Sequence, residues 1–81
     1  MSTLQIAKIK AAALNHTGRY YNNYSGRGMF GKLCVSIYCE VHEALDIISE
    51  VGIKGAKTDS MGLGSVVYWP SIQEDVPVQA S

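Results

Sequence analysis

Hydrophobic residues recur at helical spacing near the start of the chain. Ile6, Ile9 and Ala13 lie three and four residues apart, so they share one face of a helix. Thr3 is a residue type that caps helix N-termini, and it stands directly before this pattern. The spacing predicts a helix over residues 4–15 with one buried stripe.

The pattern then changes to strict alternation and back to helical spacing. Residues 33–40, LCVSIYCE, predict a strand, because every second residue is hydrophobic. Its predicted inner face comprises Leu33, Val35, Ile37 and Cys39. Residues 41–51 predict a second helix, and Gly52 is a typical helix stop. The predicted buried face of this helix comprises Val41, Leu45, Ile48 and Val51, with Ala44 beside them.

The remaining segments predict two strands and a hairpin. Residues 53–58 and 65–69 predict strands, the turn DSMGLG at 59–64 joins them, and Pro70 ends the second. Residues 17–32 have no period and are predicted to form a long loop. The predicted order is α-β-α-β-β. We expect an α+β two-layer sandwich, in which two helices cover one face of a three-stranded mixed sheet and the last strand lies centrally.

The chain of 81 residues has room for one domain. We predict a folded domain over residues 1–70 and a flexible tail over 71–81. No apolar run is long enough for a transmembrane helix, and no signal peptide is expected. The predicted strand 33–40 carries only one charge, Glu40, so its edge is predicted to pair with a second copy in a homodimer or larger oligomer.

The zero net charge hides an asymmetry along the chain. The first 32 residues contain five basic residues and no acid, whereas the rest contains two lysines and seven acids. This asymmetry favours an anionic ligand near the basic part or head-to-tail self-association. The alternative is that the charges intermix on the surface of one folded body. Nucleic acid is not the expected partner, because nucleic-acid-binding domains are usually basic overall.

The two cysteines and two histidines do not form a recognisable metal site. Cys34 and Cys39 would lie on opposite faces of one strand, so a disulfide between them is not expected. Zinc would need further ligands, and His16 and His42 stand alone. We therefore expect buried, reduced cysteines, no metal and no cofactor.

Catalytic residue types are present without a catalytic arrangement. Ser60, His42 and Asp59 do not follow the spacing of any known nucleophile with an aligned base. The sequence therefore predicts a protein that is not an enzyme.

The segment SGRGMFGKL, residues 25–33, matches two phosphate-binding fingerprints. It satisfies G-x-G-x-x-G and G-x-x-x-x-G-K, but both need a strand before the glycines and a helix after them. Here a helix precedes and a strand follows, and Leu33 stands where the second motif needs Ser or Thr. The segment predicts neither a Rossmann fold nor a P-loop.

The same segment retains the chemistry of a non-enzymatic anion site. Arg27 and Lys32 could hold a phosphate, glycine amides could assist, and the preceding tyrosines could stack on a ring. The predicted ligand-binding residues are Tyr20, Tyr21, Tyr24, Gly26, Arg27, Gly28, Lys32, Thr58, Asp59 and Ser60. The alternative is a surface loop whose aromatic residues pack on the sheet.

A protein-contact surface is the second functional hypothesis. Met61 and Leu63 lie in the predicted turn at 59–64, where exposed apolar residues are typical of an interface. The predicted anchors of such a surface are Tyr24, Met29, Phe30, Met61 and Leu63. For this turn the plain structural alternative is a hairpin with one bulge.

Two segments resemble a class of small bacteriophage proteins. YSGRGMFGKLCVSIYCE followed by KTDSMGLGSVVYWPSI is similar to their pattern of a GRGM(F/Y)G-x-x-C segment before a TD-x-MG segment, and the resemblance covers residues 20–72. It implies a location in the host cell cytoplasm. By analogy with other small phage proteins, it also implies a counter-defence role, as a sponge for nucleotide immune signals or as an anti-CRISPR inhibitor of a host defence complex.

Overall fold

A computed structural model describes residues 2–74 of the chain. It contains two α-helices and four strands, with a short 3-10 helix before the second α-helix. These elements are α1 (Ser2–Asn15), β1 (Arg19–Tyr24), β2 (Cys34–Cys39), the 3-10 helix (Val41–Glu43), α2 (Ala44–Val51), β3 (Lys57–Met61) and β4 (Gly64–Trp69). The strands form one antiparallel sheet in the order β1-β2-β4-β3. None of the helices described is long and apolar enough to cross a membrane.

The α+β class is confirmed, but the predicted three-stranded mixed sheet is wrong because a fourth strand was missed. The predicted loop at 17–32 contains β1, which pairs antiparallel with β2 from Arg19 opposite Tyr38 to Tyr24 opposite Cys34. Its sequence, RYYNNY, lacks apolar alternation. An edge strand can form from such residues, because tyrosine favours strands and the half-buried positions need only partial cover.

The hairpin of β3 and β4 is tighter than predicted. Pairing continues to Met61 opposite Gly64, so only Gly62 and Leu63 form the turn. Gly62 has a φ of +60°, which suits the first position of a two-residue hairpin turn. Asp59 to Met61 are therefore strand residues rather than turn residues. The strand predicted at 53–58 also begins later, at Lys57. The predicted central position of β4 is confirmed.

The predicted assembly through the edge of residues 33–40 is also wrong. These residues form β2, which pairs with β1 on one side and with β4 on the other. No backbone edge of β2 remains for a second copy, because the sheet ends at β1 and β3. Self-association by another route stays a prediction.

Both helices pack on one face of the sheet around a single aliphatic core. The predicted stripe of α1, Ile6, Ile9 and Ala13, is buried there. For α2 the predicted face is only partly correct: Ala44, Ile48 and Val51 face the core, whereas Val41 and Leu45 are exposed. The inward residues of α2 are Ala44, Ile47, Ile48 and Val51. The regular helix begins only at Ala44, because the three preceding residues form a 3-10 turn with a different periodicity.

The chain remains packed beyond the predicted domain boundary at residue 70. Ile72 is only 2% exposed, and its carbonyl accepts a 3.0 Å hydrogen bond from the backbone N–H of Val35. Glu74 accepts a 2.5 Å hydrogen bond from the Tyr20 hydroxyl. Of the flexible tail predicted over residues 71–81, residues 75–81 lie outside the described residues.

Candidate ligand site on the open face of the sheet

The sheet face opposite the helices carries most of the tyrosines and several charges. Strand register places two rows of side chains across this open face. One row runs Arg19, Tyr38, Val66, Asp59, and the next runs Tyr21, Ser36, Tyr68, Lys57. A cation therefore stands at each outer strand, with tyrosines between them.

The loop 25–33, hereafter the glycine loop, covers one end of the open face. Met29 is buried against Cys34, Val66 and Tyr68. Gly26 lies so close to the ring of Tyr68 that a Cβ there would stand 2.6 Å from Cζ. The glycine is therefore needed for packing. Met29 is a core residue and not the exposed anchor that the protein-contact hypothesis predicted.

Tyr24 reaches across the sheet from its outer strand. Its ring lies 4.9 Å from the Tyr68 ring, centroid to centroid, at an interplanar angle of 49°. Its hydroxyl donates a 3.3 Å hydrogen bond to Oδ2 of Asp59 on the opposite outer strand. Burial, followed by the carboxylate of Asp59, raises the pKa of the Tyr24 hydroxyl. The hydroxyl is therefore a neutral donor at physiological pH.

Beside Tyr24 the open face forms a small apolar cavity of about 190 Å³. It is lined by Tyr21, Asn23, Tyr24, Ser36, Tyr38, Met61 and Val66. The Ser36 hydroxyl already donates to the Tyr21 carbonyl at 3.3 Å, which leaves the amide of Asn23 as a polar group available to an occupant. Aromatic and thioether side chains are well suited to contact a flat ring.

A larger cavity of about 420 Å³ adjoins it toward the hairpin turn. It is lined by Thr17, Arg19, Tyr21, Tyr38, Cys39, Glu40, Leu63 and Gly64. Its volume lies within the roughly 300–1,000 Å³ of typical small-molecule sites. Tyr21 and Tyr38 line both cavities, so the two form neighbouring compartments. The Tyr38 hydroxyl is fixed by a 3.1 Å hydrogen bond that it donates to the Met61 carbonyl.

Three of the predicted ligand-binding residues meet on the open face. Tyr21 and Tyr24 line the smaller cavity, and Asp59 contacts Tyr24 at its border. Thr58 and Ser60 alternate with Asp59 along β3, so their side chains belong to the other face, and the predicted grouping of all three is wrong.

Tyr20 is also misplaced by the sequence prediction. It alternates with Tyr21 along β1 and packs against the helix-side core. Its hydroxyl donates to Glu74, and Lys10 Nζ lies 5.1 Å from its ring centroid. Burial and then this hydrogen bond raise the pKa of Tyr20 well above its ordinary value. Tyr20 is therefore a structural residue.

The predicted anion-binding residues of the glycine loop do not reach either cavity. Arg27, Gly28 and Lys32 are exposed, and none of them lines the two compartments. The cation that lines a cavity is Arg19, which the predicted set of ligand-binding residues does not include. Recognition of RYYNNY as a strand would have found it, because alternation places Arg19 and Tyr21 on the same face.

The two halves of the sequence meet in a few pairs of side chains, so the alternative interpretation of intermixed charges holds only in part. Lys10 lies 3.5 Å from Glu74, and Nε2 of His16 lies 2.9 Å from Glu50. Within residues 2–74, Arg19, Arg27 and Lys32 form no ion pair. These three side chains remain available to an external anion.

Both cysteines are buried and free, as predicted. Burial raises the pKa of the Cys34 and Cys39 thiols, which makes them poor nucleophiles at neutral pH. In the part of the chain that the structure describes, no three His, Cys, Asp or Glu side chains are grouped to hold a metal.

Ser60 and His42 lie in different parts of the fold. The backbone N–H of Ser60 donates to Asp59, whereas His42 is exposed beside Glu40. The prediction that the chain is not an enzyme stays a prediction.

No protein-family model matches the chain, and searches of curated proteins and of solved structures find no match either. The geometry of the open face is therefore the basis on which a function can be proposed.

Proposed function

We propose that the chain is a non-enzymatic binder of a small anionic ligand that carries a planar ring, with a nucleotide as the best-fitting class. The proposal rests on one observation: Tyr21 and Tyr38 join an apolar, aromatic compartment to a larger one that contains Arg19. A ligand with a flat ring at one end and a phosphate at the other would match both compartments, with the ring in the aromatic one and the phosphate beside Arg19.

The ring would occupy the compartment beside Tyr24. Tyr21 and Tyr24 offer aromatic surface there, and Met61 offers a polarisable thioether. Asn23 can pair with a donor and an acceptor on the ring edge, because its amide carries both. The compartment of about 190 Å³ is small, so it favours one ring system over a longer oligonucleotide.

The anionic group would occupy the compartment beside Arg19. Arginine binds phosphate through two parallel hydrogen bonds, and Arg19 has no competing carboxylate partner within residues 2–74. Thr17 and Glu40 border the same compartment. The Thr17 hydroxyl is already engaged, since it donates to Glu43 at 2.6 Å. Glu40 can accept from a ribose hydroxyl but repels a phosphate, so the phosphate is expected on the Arg19 side.

The biological setting is proposed from the resemblance to phage proteins. A small protein that binds nucleotides without turning them over would lower the free concentration of a host immune signal. In this proposal the chain is a counter-defence sponge in the host cytoplasm. Inhibition of a defence complex by protein contact is the second candidate, and it is favoured by the exposure of Phe30 and Leu63.

Isothermal titration calorimetry with cyclic mono-, di- and trinucleotides tests the ligand proposal. We expect at least one nucleotide to bind tighter than about 1 mM. Tyr21→Ala and Arg19→Gln should each weaken that binding by about tenfold or more, because each removes one half of the site. Tyr21→Phe should bind nearly as well as the wild type, since the ring is retained.

Lys8→Gln is the matched control for Arg19→Gln. It removes one positive charge from an exposed position of α1, on the far side of the sheet, and should leave nucleotide affinity unchanged. Equal losses in both variants would show a general charge effect and contradict the site. Absence of binding across the panel would also overturn the proposal, as would a preference for single-stranded RNA over every free nucleotide.

A further inference from the structure

Phe30 occupies an unusual position at the tip of the glycine loop. Its side chain is 96% exposed, and its backbone φ is +54°, in the left-handed region. Bulky residues are rare in this region because Cβ crowds the following carbonyl. The residue therefore combines two unfavourable features, an exposed aromatic ring and a strained backbone. Such strain is found preferentially at functional sites.

The loop holds this phenylalanine on a fixed base. Met29, immediately before it, is buried, and its sulfur accepts a 3.1 Å hydrogen bond from the backbone N–H of Gly26. The backbone N–H of Met29 donates to the Gly26 carbonyl at 3.2 Å, and that of Lys32 donates to the Met29 carbonyl at 3.0 Å. Phe30 thus projects from a turn that is closed by backbone hydrogen bonds on both sides and is anchored to the sheet through Met29.

The surroundings of Phe30 are apolar and positively charged. Leu33, three residues further along the loop, is a second apolar residue and is half-exposed. Arg27 and Lys32, which precede and follow Phe30 in the sequence, are exposed, and the segment 25–33 contains no acid. Over residues 2–74 neither cation has an ion-pair partner. The surface complements an apolar pocket that is bordered by carboxylates.

We propose that the glycine loop is a docking surface for an acidic protein partner, with Phe30 as the anchor that enters an apolar pocket. Arg27 and Lys32 would steer the partner and pair with the carboxylates at the rim of that pocket. The fixed turn lowers the entropy that binding must overcome. The surface is separate from the ligand site, because neither Phe30 nor the two cations line its compartments.

A library of short random peptides, displayed on phage or yeast, is selected for binding to the intact chain, and the enriched peptides serve as defined probes. We expect the enriched peptides to combine aromatic or aliphatic residues with Asp or Glu. Affinities of the best peptide are then measured by fluorescence anisotropy. Phe30→Asn should weaken its binding by about tenfold or more, whereas Phe30→Leu should retain most of it. Asparagine tolerates the left-handed region, so the thermal midpoint should not fall.

The charge part of the proposal has its own variants. Arg27→Gln combined with Lys32→Gln should weaken peptide binding mostly at low salt, by slowing association. Lys8→Gln combined with Lys54→Gln removes the same charge elsewhere and should have no effect. Tyr21→Ala should also leave peptide binding intact, so a failure of the ligand site and a failure of this surface are distinguishable.

Three results would overturn the proposal. The first is enrichment of basic peptides. The second is binding of the enriched peptides to Phe30→Asn as tightly as to the wild type. Sedimentation could show self-association of the wild-type chain that Phe30→Asn abolishes, which would make a second copy of this chain the occupant of the surface.

Discussion

The two faces of the sheet differ in what holds them in place. On the helix side, aliphatic residues from both helices and from β2 and β4 form one continuous core, with Ile9, Ile37 and Ile47 fully buried. On the open side, cover comes from the glycine loop and from Tyr24, and two compartments remain open to solvent. The helix side follows a periodic pattern, whereas the open side depends on individual contacts.

This difference separates stability from recognition. Burial of aliphatic surface stabilises the fold without needing any specific partner. The open face keeps tyrosine rings, a carboxylate and unpaired cations within reach of solvent, so it gains less stability from burial and leaves groups available for binding. We therefore expect the largest losses of stability from substitutions on the helix side.

The largest expected effect tests that division on one helix. Ile47→Ala in α2 removes a side chain that is 0% exposed and should lower the free energy of unfolding by about 2–5 kcal/mol. Leu45→Ala, at a position that is 76% exposed on the same helix, should change it by less than about 0.5 kcal/mol. Urea unfolding followed by fluorescence of the single tryptophan, Trp69, measures both. Similar losses would contradict the buried face of α2.

The next effect tests the packing of the open face. Gly26→Ala places a Cβ 2.6 Å from the ring of Tyr68, which is itself 4% exposed and has little room to move. We expect a loss of about 1–3 kcal/mol, as for other overpacked sites. Ser25→Ala, at the exposed neighbouring position, is the control and should be close to neutral. A neutral Gly26→Ala would mean that the glycine loop does not pack on Tyr68.

A smaller effect of opposite sign is expected at the tip of the same loop. Phe30→Asn relieves a left-handed backbone that costs an ordinary residue about 1–2 kcal/mol. We expect the free energy of unfolding to rise by about 1 kcal/mol, which raises the thermal midpoint of a domain of this size by about 4–8 °C. Differential scanning calorimetry measures the shift. A clear decrease would show that Phe30 contributes to packing and would weaken its assignment as a binding anchor.

The smallest effect concerns the surface between the helices. A hydrogen bond from the Thr17 side chain lowers the pKa of the Glu43 carboxyl. Hydrogen bonds from Asn15 and then from His16 lower the pKa of the Glu50 carboxyl. The pKa values of both carboxyls in the folded chain lie below the unfolded value of 4.5. Between the folded and the unfolded pKa, the unfolded chain therefore binds more protons than the folded chain. Stability should be retained above the unfolded value and should decline as the pH falls below it.

Glu50→Gln isolates part of this acid sensitivity. The urea concentration at the midpoint of unfolding should fall less steeply for Glu50→Gln than for the wild type between about pH 6 and about pH 3, because the variant lacks one of the two carboxyls. Asp46→Asn, on the exposed side of α2, serves as the control. Identical pH profiles for the wild type and Glu50→Gln would mean that these hydrogen bonds do not persist in solution.

Local sequence was sufficient for the elements that have a strong period. The stripe of α1, the alternation of β2 and the end of α2 at Gly52 were predicted from residue spacing and helix-stop chemistry alone. The α+β class and the central place of β4 followed from the order of those elements. The helix stripe, the strand alternation and the helix stop depend on neighbours within a few residues, whereas the class and the strand order follow from general rules for packing such elements together.

Tertiary structure decided what depends on distant partners. β1 exists because β2 offers it a free edge, and no apolar period marks it in RYYNNY. Its formation turned Tyr20 toward the helices and brought Arg19 and Tyr21 to the open face. The inward face of α2 was fixed by the 3-10 turn before it, and Met29 became a core residue because the glycine loop folds back on Tyr68. The strand pairing and the packing of Met29 depend on contacts between separate segments, and the face of α2 depends on a local change from 3-10 to α-helical geometry; hydrophobic spacing encodes neither.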